Sequence, residues 1–285
     1  MRIYVTKVFT FNILLCAILF TFTTATSAND NKTVRWALND FIPFYLKDGP
    51  YMGEGISDKL TAFFQKHLPD YNHHQEQMNF PRFYALAKRG DLVCNPLLLK
   101  TPERENFLAY SRAFKPAYTH VLVSRQPLNY PSQGLSFEKF LKEESRNLIV
   151  QTKRSYGPKL DKIISQAKQS GYIETHNFPT KQLFVMLENG RIEYFLDIEN
   201  SVTYYRAIHK GSTKFYNIPL SEDRLDRFGY ATCSKTEEGQ KLIKRINEIL
   251  NEKAASGEFR AIVESWMAPE NLPRFRDFYD KTILN

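Results

Sequence analysis

The run Thr101-Pro102-Glu103-Arg104 combines residue types that together can bind an anion. Thr is a favoured helix N-cap, Pro is tolerated at the first helical position, Glu suits the first turn, and Arg carries a planar fork of donors that matches a carboxylate. A helix start also leaves four backbone N–H groups without intrahelical partners and carries partial positive charge. Carboxylate binding is one chemistry these residues support. The other reading is structural: the run is an ordinary helix start, with Glu103 and Glu105 beside Arg104 as ion-pair partners. Other chemistries lack their residues. The sequence holds no Ser-His-Asp or Cys-His arrangement, no CxxC or HExxH spacing and no phosphate loop, so no metal and no cofactor is expected. The adjacent His73-His74 reads as part of a polar loop.

The elements that position this run follow from spacing. Residues 82–89 form a short helix stopped by Gly90, and the nearly continuous apolar run 92–99 reads as a strand buried on both faces. The anion-binding run then opens a helix over 101–109, which places a cation at the carboxyl end of a strand. Upstream, Val34, Trp36 and Leu38 alternate as in a strand, which Pro43 prevents from continuing as a central ladder. Ile56, Leu60, Phe63, Phe64 and Leu68 recur at helical spacing before Pro69. After a strand at 120–124, the stretch QPLNYPSQG marks a connector, read as a crossing between lobes. Beyond it, strands at 148–151, about 173 and 194–198 alternate with helices at 157–170, 181–188 and 201–209, as expected of a largely parallel sheet. A strand at 228–233 and helices at 237–255 and 258–266 precede a Pro-containing tail.

The first 28 residues read as a secretory signal peptide: Arg2 and Lys7 precede an apolar run, Phe9 to Phe20, that ends in small residues. Removing them lowers the formal charge from +8 to +6, with both signs spread along the chain, so nucleic acid is not implied. Of three cysteines, Cys94 and Cys233 survive cleavage. In an oxidising compartment they can pair and close a long loop, or remain two small buried hydrophobes that never meet.

Four segments, in order, resemble the extracellular solute-binding proteins of the amino-acid type, family three. They are RWALNDFIPFYLKDG with GEGISDKLTAFF, then KRGDLVCNPLLLKTPERENFLAYSRAF, then ENGRIEYFLDIENSVTYY, and finally the stretch from FGYATC to the terminal Trp266. The resemblance implies an α/β, two-lobed periplasmic-binding-protein type II fold, each lobe a mixed, mostly parallel sheet flanked by helices. Residues 29–123 and 232–285 would form lobe one and 124–231 lobe two. It also implies a ligand held between lobes that close by hinge motion, then presented to a membrane transporter permease or a sensor receptor.

On the resemblance, Arg104 is the carboxylate-binding arginine, Thr101 its neighbour in the site, and Phe41 an aromatic that packs on the ligand. The acidic residue that would grip an α-amino group falls at Ile198, between Asp197 and Glu199, so a one-residue offset separates either carboxylate from that position. The second-lobe loop reads Lys153-Arg154-Ser155-Tyr156-Gly157, adding cations and an aromatic at a helix start and favouring an anionic or aromatic ligand. Arg82 is a further candidate, and Lys100 a weaker one. The expected function is capture of a small anionic or carboxylate-bearing ligand by a monomeric periplasmic binding protein. The alternative is an exported lyase resembling cyclohexadienyl dehydratase, with Asp197 or Glu199 as general acid.

Overall fold

The structure, a computed structural model, describes residues 32–131, 134–143, 148–151, 154–171, 173–176, 178–209, 211, 213–223 and 227–284. The segment read as a signal peptide, and Lys153, lie outside the described residues. Two sheets organise the chain. The first holds β1 (Thr33–Leu38), β2 (Asn72–Gln77), β3 (Val93–Leu99), β4 (Leu108–Tyr110), β5 (Lys115–Pro116) and β11 (Phe228–Ser234). Its order is β2-β1-β3-β11-β4, with β5 also on β11. The second holds β6 (His120–Ser124), β7 (Leu148–Gln151), β8 (Glu174–His176), β9 (Tyr194–Ile198) and β10 (Tyr216–Pro219), in the order β10-β6-β9-β7-β8. Pairing is parallel along β2-β1-β3 and β9-β7-β8, and antiparallel elsewhere in both sheets.

Helices cover both faces of each sheet, and strand alternation decides which side chain meets which helix. On the first sheet, Trp36 and Cys94 point into a core with α1 (Ile56–His67), α8 (Glu237–Lys253), α9 (Gly257–Val263) and α10 (Leu272–Thr282). Ala37, Val93 and Leu98 point the other way, onto α2 (Phe80–Arg89), beyond which lies the single turn α3 (Pro102–Glu105). On the second sheet, Leu122 and Leu196 pack with α4 (Phe137–Glu143) and α5 (Pro158–Gln169). Val121, Val123 and Phe195 pack with α6 (Thr180–Glu188) and α7 (Glu199–Ile208). Caps fix where helices begin: the Asn79 side chain accepts from Arg82 N, and Thr236 and Ser256 do the same for Gly239 N and Phe259 N. Gly90 ends α2 at φ 91°, a conformation that costs other residues a Cβ clash.

Cys94 and Cys233 are joined by a disulfide across the β3–β11 ladder, where they are register partners with Cα atoms 4.0 Å apart. The bond spans 139 residues, and that loop contains the whole second sheet. Loop-closure entropy sets its contribution at about 5 kcal/mol.

Several expectations change. The polar loop at His73-His74 is the edge strand β2, held by Arg35–Glu76 and by Trp36 Nε1 donating to His73 Nδ1 at 3.1 Å. The helix expected over 101–109 is only one turn, because Leu108–Tyr110 pairs with β11 instead. The tail folds as α10, with Phe275 and Tyr279 buried in the first core. The sheet crossings also shift. β6, expected in lobe one as far as residue 123, pairs with β9 in the second sheet, and β11 begins in the first sheet at Phe228, inside the range expected for lobe two. The reason is that Val121 to Val123 is apolar on both faces and completes a central strand.

Candidate functional site

Parallel pairing brings the carboxyl ends of β1 and β3 to one edge of the first sheet, and those of β7 and β9 to one edge of the second. The two edges meet. The Arg154 guanidinium, three residues after β7, lies 4.6 Å from the ring of Phe41, three residues after β1. Gaps outside the carboxyl ends of strands are where α/β sheets bind ligands.

Arg154 and Asp197 form a buried ion pair. Nη2 of Arg154 donates to Oδ1 of Asp197 at 2.8 Å, with the arginine side chain 13% exposed and the aspartate 0%. The Arg154 Nη1 group donates to Gln151 Oε1, and the Tyr156 ring lies 5.1 Å from Cζ. Burial works against the Arg154 charge, but Asp197 and Tyr156 more than offset it and raise its pKa. The Asp197 carboxylate is fully engaged, since it also accepts from Thr180 Oγ1 at 3.1 Å and from Ile198 N at 2.7 Å. Alternation explains the orientation: Asp197 shares a strand face with Phe195, toward α6, whereas Ile198 joins the core of the first sheet.

Arg104 is placed differently. Its backbone N donates to Thr101 Oγ1 at 3.4 Å, so Thr101 caps the turn as its type suggests. Its Nη1 donates to Leu99 O at 2.9 Å, and its guanidinium lies 5.3 Å from the ring of Tyr84. Among the described residues no carboxylate pairs with it, because Glu105 pairs with Lys100 at 2.7 Å instead. Leu99 is the register partner of Gly229 at the start of β11, and Gly229 pairs in turn with Lys115. Arg104 therefore stands near the end of the first sheet where β5 and β11 pair. Among the described residues no hydrogen bond or ion pair joins it to the second sheet.

The remaining sequence candidates scatter. Arg82 is a surface cation, 58% exposed and paired with Glu76, and so lies apart from the gap. Ser155 is exposed and donates to Asp161 Oδ2 at 2.7 Å, serving the start of α5. Tyr156 is buried, its hydroxyl accepts from Gln151 N, and burial pushes its pKa up to about 12. Glu199 accepts from Thr119 Oγ1 at the crossing between sheets and from Asn271 Nδ2. Phe41 and Phe44 stack at 4.8 Å, and Phe44 meets Tyr118 edge-on at 4.5 Å.

Sequence reasoning missed Thr180 and Gln151, which complete the Arg154–Asp197 pair, and Tyr84, which orients Arg104. It also missed the start of α7 as a fastening between sheets. There Ser201 Oγ donates to Ile42 O at 2.8 Å and Asn200 Nδ2 to Trp266 O at 2.9 Å. Tyr204 rests against Tyr51 and Trp266. A sequence signal existed for Thr180 alone, a helix-start hydroxyl after Pro179. Lys115 was likewise unforeseen: it is 2% exposed, its ammonium lies 4.1 Å from the Tyr118 ring and 5.0 Å from that of Phe275, and burial lowers its pKa to about 7.

Comparison with known proteins shows the fold. The chain is similar to the probable amino-acid ABC transporter extracellular-binding protein ytmK of Bacillus subtilis, at 15% identity and a TM-score of 0.61, covering 83% of this chain and 98% of that one. It is similar to an ancestral arginine-binding protein bound to glutamine, at 15% identity and a TM-score of 0.61 over 83% and 98% of the two chains. The periplasmic VFT2 domain of Bordetella pertussis BvgS matches at 18% identity and a TM-score of 0.56, over 82% of this chain and 93% of that one. The fold is thus the two-lobed α/β architecture of these solute-binding structures. No protein-family model and no curated protein matches the sequence.

Proposed function

We propose that this chain is a non-enzymatic, periplasmic solute-binding protein. It captures a small ligand bearing a carboxylate or other anionic group between its two sheets and presents it to a transporter permease or a sensor receptor. The observation that carries this reading is Arg104. Of the sequence-predicted site cations that are described, Arg82 and Arg154 each have an acidic partner, whereas Arg104 is held in orientation by Leu99 O and Tyr84 and forms no ion pair among the described residues. A half-buried guanidinium with unused parallel donors is a carboxylate receptor. Thr101 shapes its turn.

In this reading the lobes divide near the two sheet crossings, at 117–119 and near 227, and close over the ligand by hinge motion. Solved proteins of this architecture include amino-acid ABC transporter binding proteins, which supports a transporter partner, and a periplasmic VFT2 domain, which supports the compartment. The lyase reading needs a carboxyl group free to give a proton. Asp197 is committed to Arg154, Thr180 and Ile198, and Glu199 to Thr119 and Asn271.

A thermal-shift screen of the mature chain against carboxylates, with Arg104→Ala beside it, tests the proposal. The expected result is that at least one carboxylate raises the melting temperature of the native chain and fails to raise that of the variant. Equal responses from both would remove Arg104 from the site.

A further inference from the structure

The Arg154 guanidinium sits in a setting whose chemistry is that of a cation receptor. Asp197 Oδ1 accepts from it at 2.8 Å, Gln151 Oε1 accepts from its other amino group, and the rings of Phe41 and Tyr156 lie 4.6 and 5.1 Å from Cζ. An acid, a neutral acceptor and two aromatic faces are what recognition of a guanidinium or ammonium requires. Here the occupant is part of the chain. The slot also spans the gap, because Phe41 follows β1 of the first sheet while the other three groups belong to the second.

We propose that Arg154 is a specificity-determining residue: it fills the slot from within and thereby excludes a ligand's cationic group. The inference rests on the reading of this gap as the binding site and deepens it, since it explains why the free receptor is the anion-seeking Arg104. With Arg154 in place, the acid at position 197 is spent and the aromatic faces are covered. A guanidinium-bearing or ammonium-bearing ligand then meets no unpaired acid there, and would have to break a buried ion pair to find one. The ligand class admitted is one with an anionic end and no cationic end directed at this slot. Arg154 also makes a closing contact of its own through Phe41, so contact between the two edges does not require a ligand to bridge them.

The test is to empty the slot and refill it. Arg154→Ala is titrated with millimolar methylguanidinium, with sodium chloride at equal ionic strength and with neutral methylurea. The expected result is a saturable rise in melting temperature of roughly 3 °C with methylguanidinium alone, absent from the native chain and abolished when Asp197→Asn is added. Should Arg154→Ala fail to fold, refolding with and without methylguanidinium gives the same reading by circular dichroism, and recovery only with the cation supports the slot. The proposal is overturned if methylguanidinium acts no better than sodium chloride in either format, or if the native chain responds as the variant does. Failure of the carboxylate screen with successful rescue here would remove the Arg104 reading and leave the slot standing.

Discussion

Arg104 and Arg154 are the same side chain beyond the carboxyl ends of β3 and β7, strands of different sheets, and they are satisfied in opposite ways. Arg154 is nearly enclosed, with an acid, an amide oxygen and two rings around it. Arg104 is half-buried and aligned by one carbonyl and one ring, with no ion pair to an acid among the described residues. The difference teaches that a cation's meaning lies in what already satisfies it. A guanidinium with its charge matched inside the protein is architecture, whereas one oriented but unmatched is, on the proposed reading, a receptor.

The largest effect should come from breaking the matched side. Asp197→Asn leaves the Arg154 charge buried without its partner, and removing one member of such a pair costs about 3–5 kcal/mol. Urea unfolding of the two chains measures it. Replacing both residues with Met and Leu should recover most of the loss, because no charge is then stranded. A loss below about 1 kcal/mol for Asp197→Asn would mean the pair is solvated, as exposed pairs are, and would dissolve the contrast with Arg104.

Lys115 sharpens the contrast by adding a buried cation that can give up its proton, which an arginine cannot. It has two aromatic neighbours and, among the described residues, no acid partner, and burial lowers its pKa to about 7. In the unfolded chain lysine keeps its proton to about pH 10.4. Between those values the unfolded state binds more protons than the folded one, so stability should rise with pH from about 7 toward 10. The gain is on the order of 4 kcal/mol. Lys115→Met should remove that rise and be the more stable chain at pH 6. Parallel stability–pH curves for the two chains would show Lys115 hydrated in solution.

How much of this was legible depended on where the deciding contacts lie. Helices α1, α2 and α8 could be read because their apolar spacing and caps are local to each segment. The strand β2 could not, since NHHQEQ is polar on both faces and is a strand only because β1 offers it a ladder and Trp36 a partner for His73. The tail was misread because Pro273 suggests an end, although proline is compatible with the first turn of α10. At the site, Phe41, Arg154, Tyr156 and Asp197 were named from sequence and do converge. That Arg154 and Asp197 consume each other was invisible, because it depends on Thr180 and Gln151, set beside them by β7 and α6.

On the unmatched side the effect should fall on binding rather than stability. On the proposed reading, Arg104→Ala removes a charged receptor whose contact with a carboxylate is worth about 1.5–3 kcal/mol, so affinity should drop roughly 10- to 150-fold. Isothermal titration with whichever carboxylate the screen identifies measures this. The fold loses one hydrogen bond to Leu99 O and the approach to Tyr84, so its urea midpoint should move little. A variant that unfolds early yet binds normally would reverse the roles assigned to the two arginines.

The smallest effect calibrates the others. Arg82 was a site candidate by sequence, and its side chain is 58% exposed, paired with Glu76 at the edge of the first sheet. Glu76 has a second partner, since Arg35 donates to it at 2.6 Å from a less exposed position, so deleting Arg82 strands no charge. Exposed pairs of this kind gain little Coulomb energy in water and give up side-chain freedom to form. Arg82→Ala should therefore match the native chain in urea midpoint and in carboxylate affinity alike. A fall in affinity with unchanged stability would show that Arg82 swings to the gap when ligand is present, and that exposure at rest does not separate a receptor cation from a solvated one.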